Sequence, residues 1–396
     1  MEKYKEHFPM TVEDAIDYTK YFNIFSKESN LQGEEIGDGN INYVFRVKDR
    51  ASGKSVVLKQ ADKKLRSSGR PLDIHRSKIE AKALELEGAC GGNYVPKIYW
   101  YDEVMSVIVM EDISKYKNLR TELLQGKMFP NFSQDISDFL VRTLLGTTDL
   151  ILDPEEKKER VKFFINKELC DISECLVFTE PYTNNKNRNI VIEGNEDFVE
   201  KYLYGDEELH GHVAKLKNNF MNNSQSLIHG DLHSGSIFIN EKGMKVIDPE
   251  FSFYGPMGYD VGNVIGNLFF PLINRSYLLE EGEEKDRFLF WLRNTIEEVF
   301  DLFVEKFKVN YDKWVKSPLY ATEEFKEWYL KEVMADSVGM AGLEIIRRVV
   351  GDSKVMEITS IEDMDKRILV ERKLIGIGIN FIKNRYEIKS GRELFL

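Results

Sequence analysis

The sequence predicts an α+β chain in two lobes: a small mixed β-sheet lobe with one main helix over residues 1–113, and a larger, mainly helical lobe over residues 114–396. Three observations carry this expectation. The chain has 396 residues, too many for one simple core, so two are expected. From Glu34 to about Ile113 short alternating or β-branched runs prevail, "NYVFRV", "SVVLKQA", "KIYWYD" and "SVIVMED", parted by the turn signals "GDGN", "KDRASGK" and "GGNYVP". Beyond Ile113 the spacing turns helical, broken by two short strand candidates, "SIFIN" and "MKVID".

Taken in order, the opening segment is a helix. Thr11 and Asp14 stand at the spacing of a reciprocal cap for "VEDAIDYTKYF". The stretch "IHRSKIEAKALELEG" is the one helix expected within the sheet lobe, with a stop at Gly88. Between them "SGKS" at positions 52–55 imitates the end of a P-loop. Lys48 occupies the place of the required first glycine and no helix follows, so it is a turn. Late in the chain, "ADSVGMAGLEIIRRVVG" puts Val338, Ala341, Ile345 and Val349 on one helical face. The joint between the lobes is expected near Glu111 to Ser114.

Composition narrows the class. A net charge of −12 repels phosphate backbones, so nucleic acid is not an expected partner. The longest apolar runs, such as "NLFFPLI", fall far short of a bilayer span, so neither is a membrane. The first residues, "MEKYKEHFPMTVEDA", lack the apolar stretch of a secretory signal. Cys90, Cys170 and Cys175 are too few for a disulfide framework and lack zinc-ligand spacing, which points to a reducing cytoplasm.

The residues that carry chemistry are scattered. "EIGDGNINYVFRV" sets glycines between two strands, as a phosphate-binding turn does, and as a plain hairpin also does. Lys59 ends the apolar run "SVVLK", where a lysine is costly without an anionic partner, unless it snorkels from an edge strand. Glu80 follows on the helix, on the same face as Arg76, and a strand lysine with a helix glutamate is how kinase-like folds hold α- and β-phosphates. Glu111, Asp112 and Ile113 form a linker whose backbone suits an adenine edge.

In the second lobe "HGDLHSGS" spans residues 229–236. If it is a strand, His229, Asp231 and His233 share one face, as in a zinc-dependent hydrolase. The alternative pairs Asp231 with Asp248, seventeen residues on in "MKVIDPE". Aspartate, strand–turn–strand, aspartate is the kinase order: the first carboxylate orients and accepts the hydroxyl proton, the second binds Mg²⁺.

"HGDLHSGS" followed by "VIDPEFSFYGPMGYDVG" resembles the aminoglycoside-phosphotransferase and choline-kinase group of small-molecule kinases, and the likeness runs nearly end to end. Within that group the closest likeness is to the bacterial branch acting on 5-methylthioribose. The resemblance implies a protein-kinase-like two-lobed fold, ATP and Mg²⁺, a small sugar acceptor phosphorylated on its 1-hydroxyl, and a homodimer. It implies nucleotide contacts from Asn42, Lys59, Glu80, Glu111, Asp112, Ile113, Asp248, Pro249 and Glu250. It implies Asp231 as the catalytic residue, with Arg347 and Arg348 beside the acceptor. Ser236 stands where most of the group has an Mg²⁺-binding asparagine. Glu250, two residues after Asp248, supplies a second hard oxygen ligand, so Asp248 and Glu250 are the expected metal pair with Ser236 peripheral. The plain reading of Arg348 pairs it with Glu344 on a solvated helix face. The group's loop tryptophan is missing: "RSSGRPLDIHR" has Arg70 near that position. Choline and aminoglycosides remain alternative acceptors.

Overall fold

The computed structural model describes residues 3–37, 42–64, 69 and 71–396. The Thr11–Asp14 cap forms as read: Thr11 Oγ1 accepts from the Asp14 N–H (3.2 Å) and the Asp14 carboxylate accepts from the Thr11 N–H (3.0 Å), opening α1 (Val12–Tyr21). Five strands follow: β1 (Leu31–Glu35), β2 (Tyr43–Asp49), β3 (Ser55–Gln60), β4 (Ile98–Asp102) and β5 (Val107–Glu111), with α2 (Arg76–Ala89) between β3 and β4. Their spatial order is β1-β2-β3-β5-β4. The sheet is antiparallel throughout rather than mixed. The helical crossover makes β3 and β4 parallel, but β5 inserts between them, so no parallel pair is hydrogen-bonded. "SGKS" lies in the β2–β3 turn, with Gly53 at φ +72°.

Alternation gives the sheet two apolar faces. Phe45, Val47, Leu58, Val107 and Val109 pack against Ala15 and Tyr18 of α1, while Val57, Ile108 and Met110 meet Ala81 of α2. Helix α2 passes the expected stop at Gly88 and ends at Cys90, because the left-handed conformations that break it belong to Gly91 (φ +111°) and Gly92 (φ +119°).

Beyond the sheet run β6 (Lys117–Asn118), α3 (Leu119–Leu124), α4 (Phe132–Gly146), α5 (Pro154–Phe163), α6 (Lys167–Leu176), α7 (Glu180–Thr183), α8 (Glu196–Val199) and α9 (Glu207–Asn222). Then come β7 (Ser226–Ile228), β8 (Ile237–Asn240), β9 (Gly243–Val246) and β10 (Phe253–Gly255). The predicted "SIFIN" and "MKVID" strands are β8 and β9, a hairpin extended by β6. Four long or central helices, α10 (Gly258–Leu278), α11 (Glu283–Trp314), α12 (Glu323–Val350) and α14 (Met364–Lys383), close the chain, with the short α13 (Met356–Thr359) before the last. Val338, Ala341, Ile345 and Val349 are all buried, but so is nearly every other residue of the C-terminal half of α12. Glycines permit this close crossing. A Cβ on Gly262 of α10 would lie 2.5 Å from the Ser337 carbonyl oxygen, and one on Gly342 2.5 Å from that of Gly378.

Candidate active site

The strand lysine and the helix glutamate meet. Lys59 Nζ donates to Glu80 Oε1 at 2.7 Å, and both side chains are buried. On its other side the same ammonium contacts Asp248, 189 residues away in the chain. Burial disfavours the ammonium, but Asp248, Glu80 and Glu250 outweigh it and hold Lys59 charged beyond its ordinary range. The carboxylates feel the reverse. Burial first, and then the competing carboxylates Asp248 and Glu250, push Glu80 upward against the pull of Lys59.

Asp248 leaves β9 in the left-handed region (φ 65°, ψ 44°), which turns its half-exposed side chain toward Lys59. Pro249 begins the 3₁₀ turn Pro249–Phe251; it is buried and does not line the cleft cavity. Glu250 points inward from that turn. Its Oε2 lies 3.3 Å from Arg76 Nε as a charge contact that is not an aligned hydrogen bond, and its pKa is raised by burial against Lys59 and Arg76. Arg76 Nη2 donates to Asn42 Oδ1 (3.0 Å), drawing Asn42 into the same network. The other residues of the glycine turn, 38–41, and Arg70 lie outside the described residues.

The loop of residues 229–236 is not a strand. Its histidines do not share a face; each fixes backbone instead. His229 Nε2 donates to the Ile247 carbonyl (2.9 Å) and its Nδ1 faces the Asp231 N–H (3.3 Å). His233 Nδ1 accepts from the Gly235 and Ser236 N–H groups (3.0 and 3.1 Å), which assigns the proton to Nε2, 3.4 Å from Asp231 Oδ2. Ser236 Oγ donates to the Asp231 carbonyl (3.1 Å). Beneath the loop, Asp260 at the start of α10 accepts from the His229 and Gly230 N–H groups (2.6 and 3.1 Å). Gly230 has φ +83°, and any Cβ there would strike the Phe251 carbonyl.

Arg347 and Arg348 both reach this loop. Arg347 Nη2 donates to Asp231 Oδ1 (3.1 Å) and Arg348 Nη2 stands 3.5 Å from the same atom. Glu344 is no solvated partner. It is fully buried, bonds Arg348 Nε (2.9 Å), contacts Arg347 Nε, and is held by Asn267 Nδ2 (2.9 Å). Burial would raise Asp231, but His233, Arg347 and Arg348 prevail and keep its carboxyl well below the usual range. A third guanidinium, Arg120 on α3, was not legible in the sequence. It donates to Ser234 Oγ and Asn267 Oδ1, both at 3.2 Å, behind the loop.

Above all this lies a cleft of about 770 Å³, walled by Val44, Val57 and Met110 of the sheet and by Phe238 and Ile247 of the other lobe. Glu111, Asp112 and Ile113 line its rim. The Asp112 carboxylate accepts from Ser55 Oγ (2.6 Å) and Arg46 Nε (3.3 Å). The Glu111 carboxylate accepts from Lys245 Nζ (3.2 Å), a fully buried lysine of β9 that also donates to Asn93 Oδ1 (2.6 Å) and the Val95 carbonyl (3.0 Å). The linker is thereby tied to both lobes.

A cleft between an antiparallel sheet and a helical body, with a lysine–glutamate pair on one wall and two aspartates on the other, defines the class as a phosphotransferase. Residues 32–288 match the phosphotransferase enzyme family. Methylthioribose kinase of Geobacillus sp. (strain WCH70) is 36% identical over 388 residues, covering 98% of this chain and 94% of that one. Methylthioribose kinase of Bacillus velezensis is 37% identical over 387 residues, 97% and 95% of the two chains. The chain belongs to the methylthioribose kinase family within the phosphotransferase class, and is a small-molecule kinase. Among solved structures, choline kinase from Cryptosporidium parvum Iowa II shares the fold, with a TM-score of 0.52 at 17% identity over 93% of this chain and 98% of that one.

Proposed function

We propose that the chain transfers the γ-phosphoryl group of ATP to the 1-hydroxyl of 5-methylthioribose, a step of methionine salvage. One observation carries the chemistry: Asp231 is held ionised at the cleft floor, its two oxygens addressed by Arg347 and His233. Phosphoryl transfer asks the protein chiefly for position and charge. Asp231 orients the acceptor hydroxyl and takes its proton as the oxygen attacks phosphorus. Arg347, with Arg348 beside it, offers N–H donors to the negative charge on the moving group. Lys59, steadied by Glu80, binds the α- and β-phosphates. Asn42 and the Glu111–Ile113 linker frame the nucleotide.

The residues fit Mg²⁺. Glu250 carries a buried carboxylate oxygen without a hydrogen bond, and Asp248 stands half-exposed beside it. No cluster of three metal-binding side chains exists among the described residues, which suits an ion that takes its remaining oxygens from phosphate and water. Asp248 and Glu250 would hold it, and when bound it neutralises charge on the phosphates.

In this reading residues 1–113 form the nucleotide lobe and 114–396 the catalytic lobe, and the enzyme works as a cytoplasmic homodimer. The three free cysteines suit a reducing compartment. The dimer rests on the family resemblance. Choline or an aminoglycoside is a poorer acceptor, because three guanidiniums gathered about Asp231 repel a cationic ligand. The test is ATP consumption with 5-methylthioribose, choline and kanamycin, with the product read by phosphorus NMR. Turnover of choline or kanamycin without methylthioribose overturns the acceptor; full activity after zinc chelation removes the hydrolase alternative.

A further inference from the structure

A second cavity, of about 650 Å³, lies away from the cleft among α9, α12 and the segment after α14. Its size falls within the range of small-molecule sites, roughly 300–1,000 Å³. None of the residues assigned above to phosphoryl transfer lines it.

Two opposite charges face it with bonding capacity left over. Arg385 is 5% exposed. Its Nη1 is engaged by His212 Nδ1 (2.9 Å) and the Ile382 carbonyl (3.1 Å), while Nη2 has no protein acceptor among the described residues. Asp336 on α12 accepts from Asn219 Nδ2 through Oδ2 (2.6 Å), and its Oδ1 has no donor among the described residues. The two charged groups sense each other without an ion-pair contact. Beside them Phe325, Trp328 and Tyr329 form a ring cluster with centroids 5.4 to 6.4 Å apart, and Trp328 is 55% exposed.

The charges choose the ligand class. A plain anion meets Asp336 and Glu332; a plain cation meets Arg385 and Lys215. A zwitterion satisfies both signs, and its side chain rests on the aromatic rings, which favour apolar and thioether groups. We propose that this cavity is a second ligand site, for a free α-amino acid with an apolar side chain. The α-carboxylate meets Arg385 Nη2, the α-ammonium meets Asp336 Oδ1, and the side chain covers Phe325 and Trp328.

The site adjoins the catalytic machinery through two elements. Arg347 lies eleven residues beyond Asp336 on α12, about 16 Å along the axis. Gln225 lines the cavity and leads directly into β7 and the 229–236 loop.

Isothermal titration of the full-length protein with L-methionine, L-leucine and L-phenylalanine tests this, beside two derivatives that each lack one charge, L-methionine amide and N-acetyl-L-methionine. At least one amino acid is expected to bind once per chain and to change tryptophan emission, with both derivatives at least about tenfold weaker. Burial pushes the Asp336 carboxyl up to about 7 against Arg385 and Asn219, with Glu332 adding to the rise. A protonated Asp336 cannot receive an ammonium, so binding tightens as pH rises through neutrality. Asp336→Asn removes that pH dependence and weakens binding at least about tenfold. Trp328→Ala, on an exposed side chain, weakens binding and abolishes the emission change while leaving the kinase rate without amino acid unchanged. No binding of any of the three at millimolar concentration overturns the proposal. So does an amide that binds as well as its parent, which would mark a cation site, or binding indifferent to both substitutions.

Discussion

Two charge clusters of different composition meet at the cleft. Around Lys59 and Arg76 stand three carboxylates, Glu80, Asp248 and Glu250, and burial with mutual repulsion drives Glu80 and Glu250 upward. Around Asp231 and Glu344 stand three guanidiniums, and both carboxyls are held below their ordinary range despite burial. The third acid there, Glu357, lies 3.6 Å from Arg120 Nε with both oxygens lacking hydrogen bonds, and burial pushes it toward its neutral form. The first cluster sets three carboxylates against two cations; in the second, three guanidiniums face two carboxylates held low and one, Glu357, raised by burial. In the proposed reading a divalent cation joins the first cluster and the transferred phosphoryl group approaches the second.

The comparison breaks most sharply at Asp231. Asp231→Asn leaves the acceptor hydroxyl with no base to take its proton, and kcat is expected to fall by about 10²–10⁴ with KM for ATP nearly constant. Steady-state kinetics within a few-fold of the parent would remove Asp231 from its role. Next is Glu344→Gln, which strips one partner from a buried ion network. Stability is expected to drop by about 3–5 kcal/mol, read from urea unfolding, because the arginines lose their buried counter-charge. Glu250→Gln is the matching change on the acidic side and should act oppositely. Half-saturating Mg²⁺ rises at least about tenfold, while the melting temperature stays within about 2–4 °C, since one of the crowded carboxylates is neutralised. If Glu250→Gln unfolds as readily as Glu344→Gln, the proposed asymmetry is wrong. The smallest effect is in pH. Raised in pKa, Glu80 takes up a proton above the ordinary carboxylate range as pH falls, and its grip on Lys59 loosens. The acid limb of kcat/KM for ATP should sit correspondingly high and vanish in Glu80→Gln.

Lys59 announced itself because a lysine within an apolar strand demands an anion. The same signal was present in "MKVID", where Lys245 is fully buried and ties β9 to Glu111. A short strand gives this lysine little apolar context, so the signal is weak in the sequence. Arg120 had no such mark, since "NLRTELL" reads as any surface helix; its burial comes from α10 and the 229–236 loop closing over it. From spacing alone Glu344 is half of an ordinary i,i+4 pair with Arg348. The spacing was right and the environment was not, because helical periodicity cannot tell that α12 is enclosed on every side.

Local chemistry and order along the chain were enough to indicate two lobes, the strand lysine, the helix glutamate, the paired aspartates and the class of reaction. Those features rest on short-range rules: alternation, capping, turn residues, and the cost of burying a charge. Only the tertiary structure decided which wall each group faces, that Asp248 meets Lys59 across 189 residues, and that guanidiniums from α3 and α12 converge behind one loop. Sequence separation carries no distance once a chain is folded, and the sign of a local field depends on every charge that packing brings within a few ångströms.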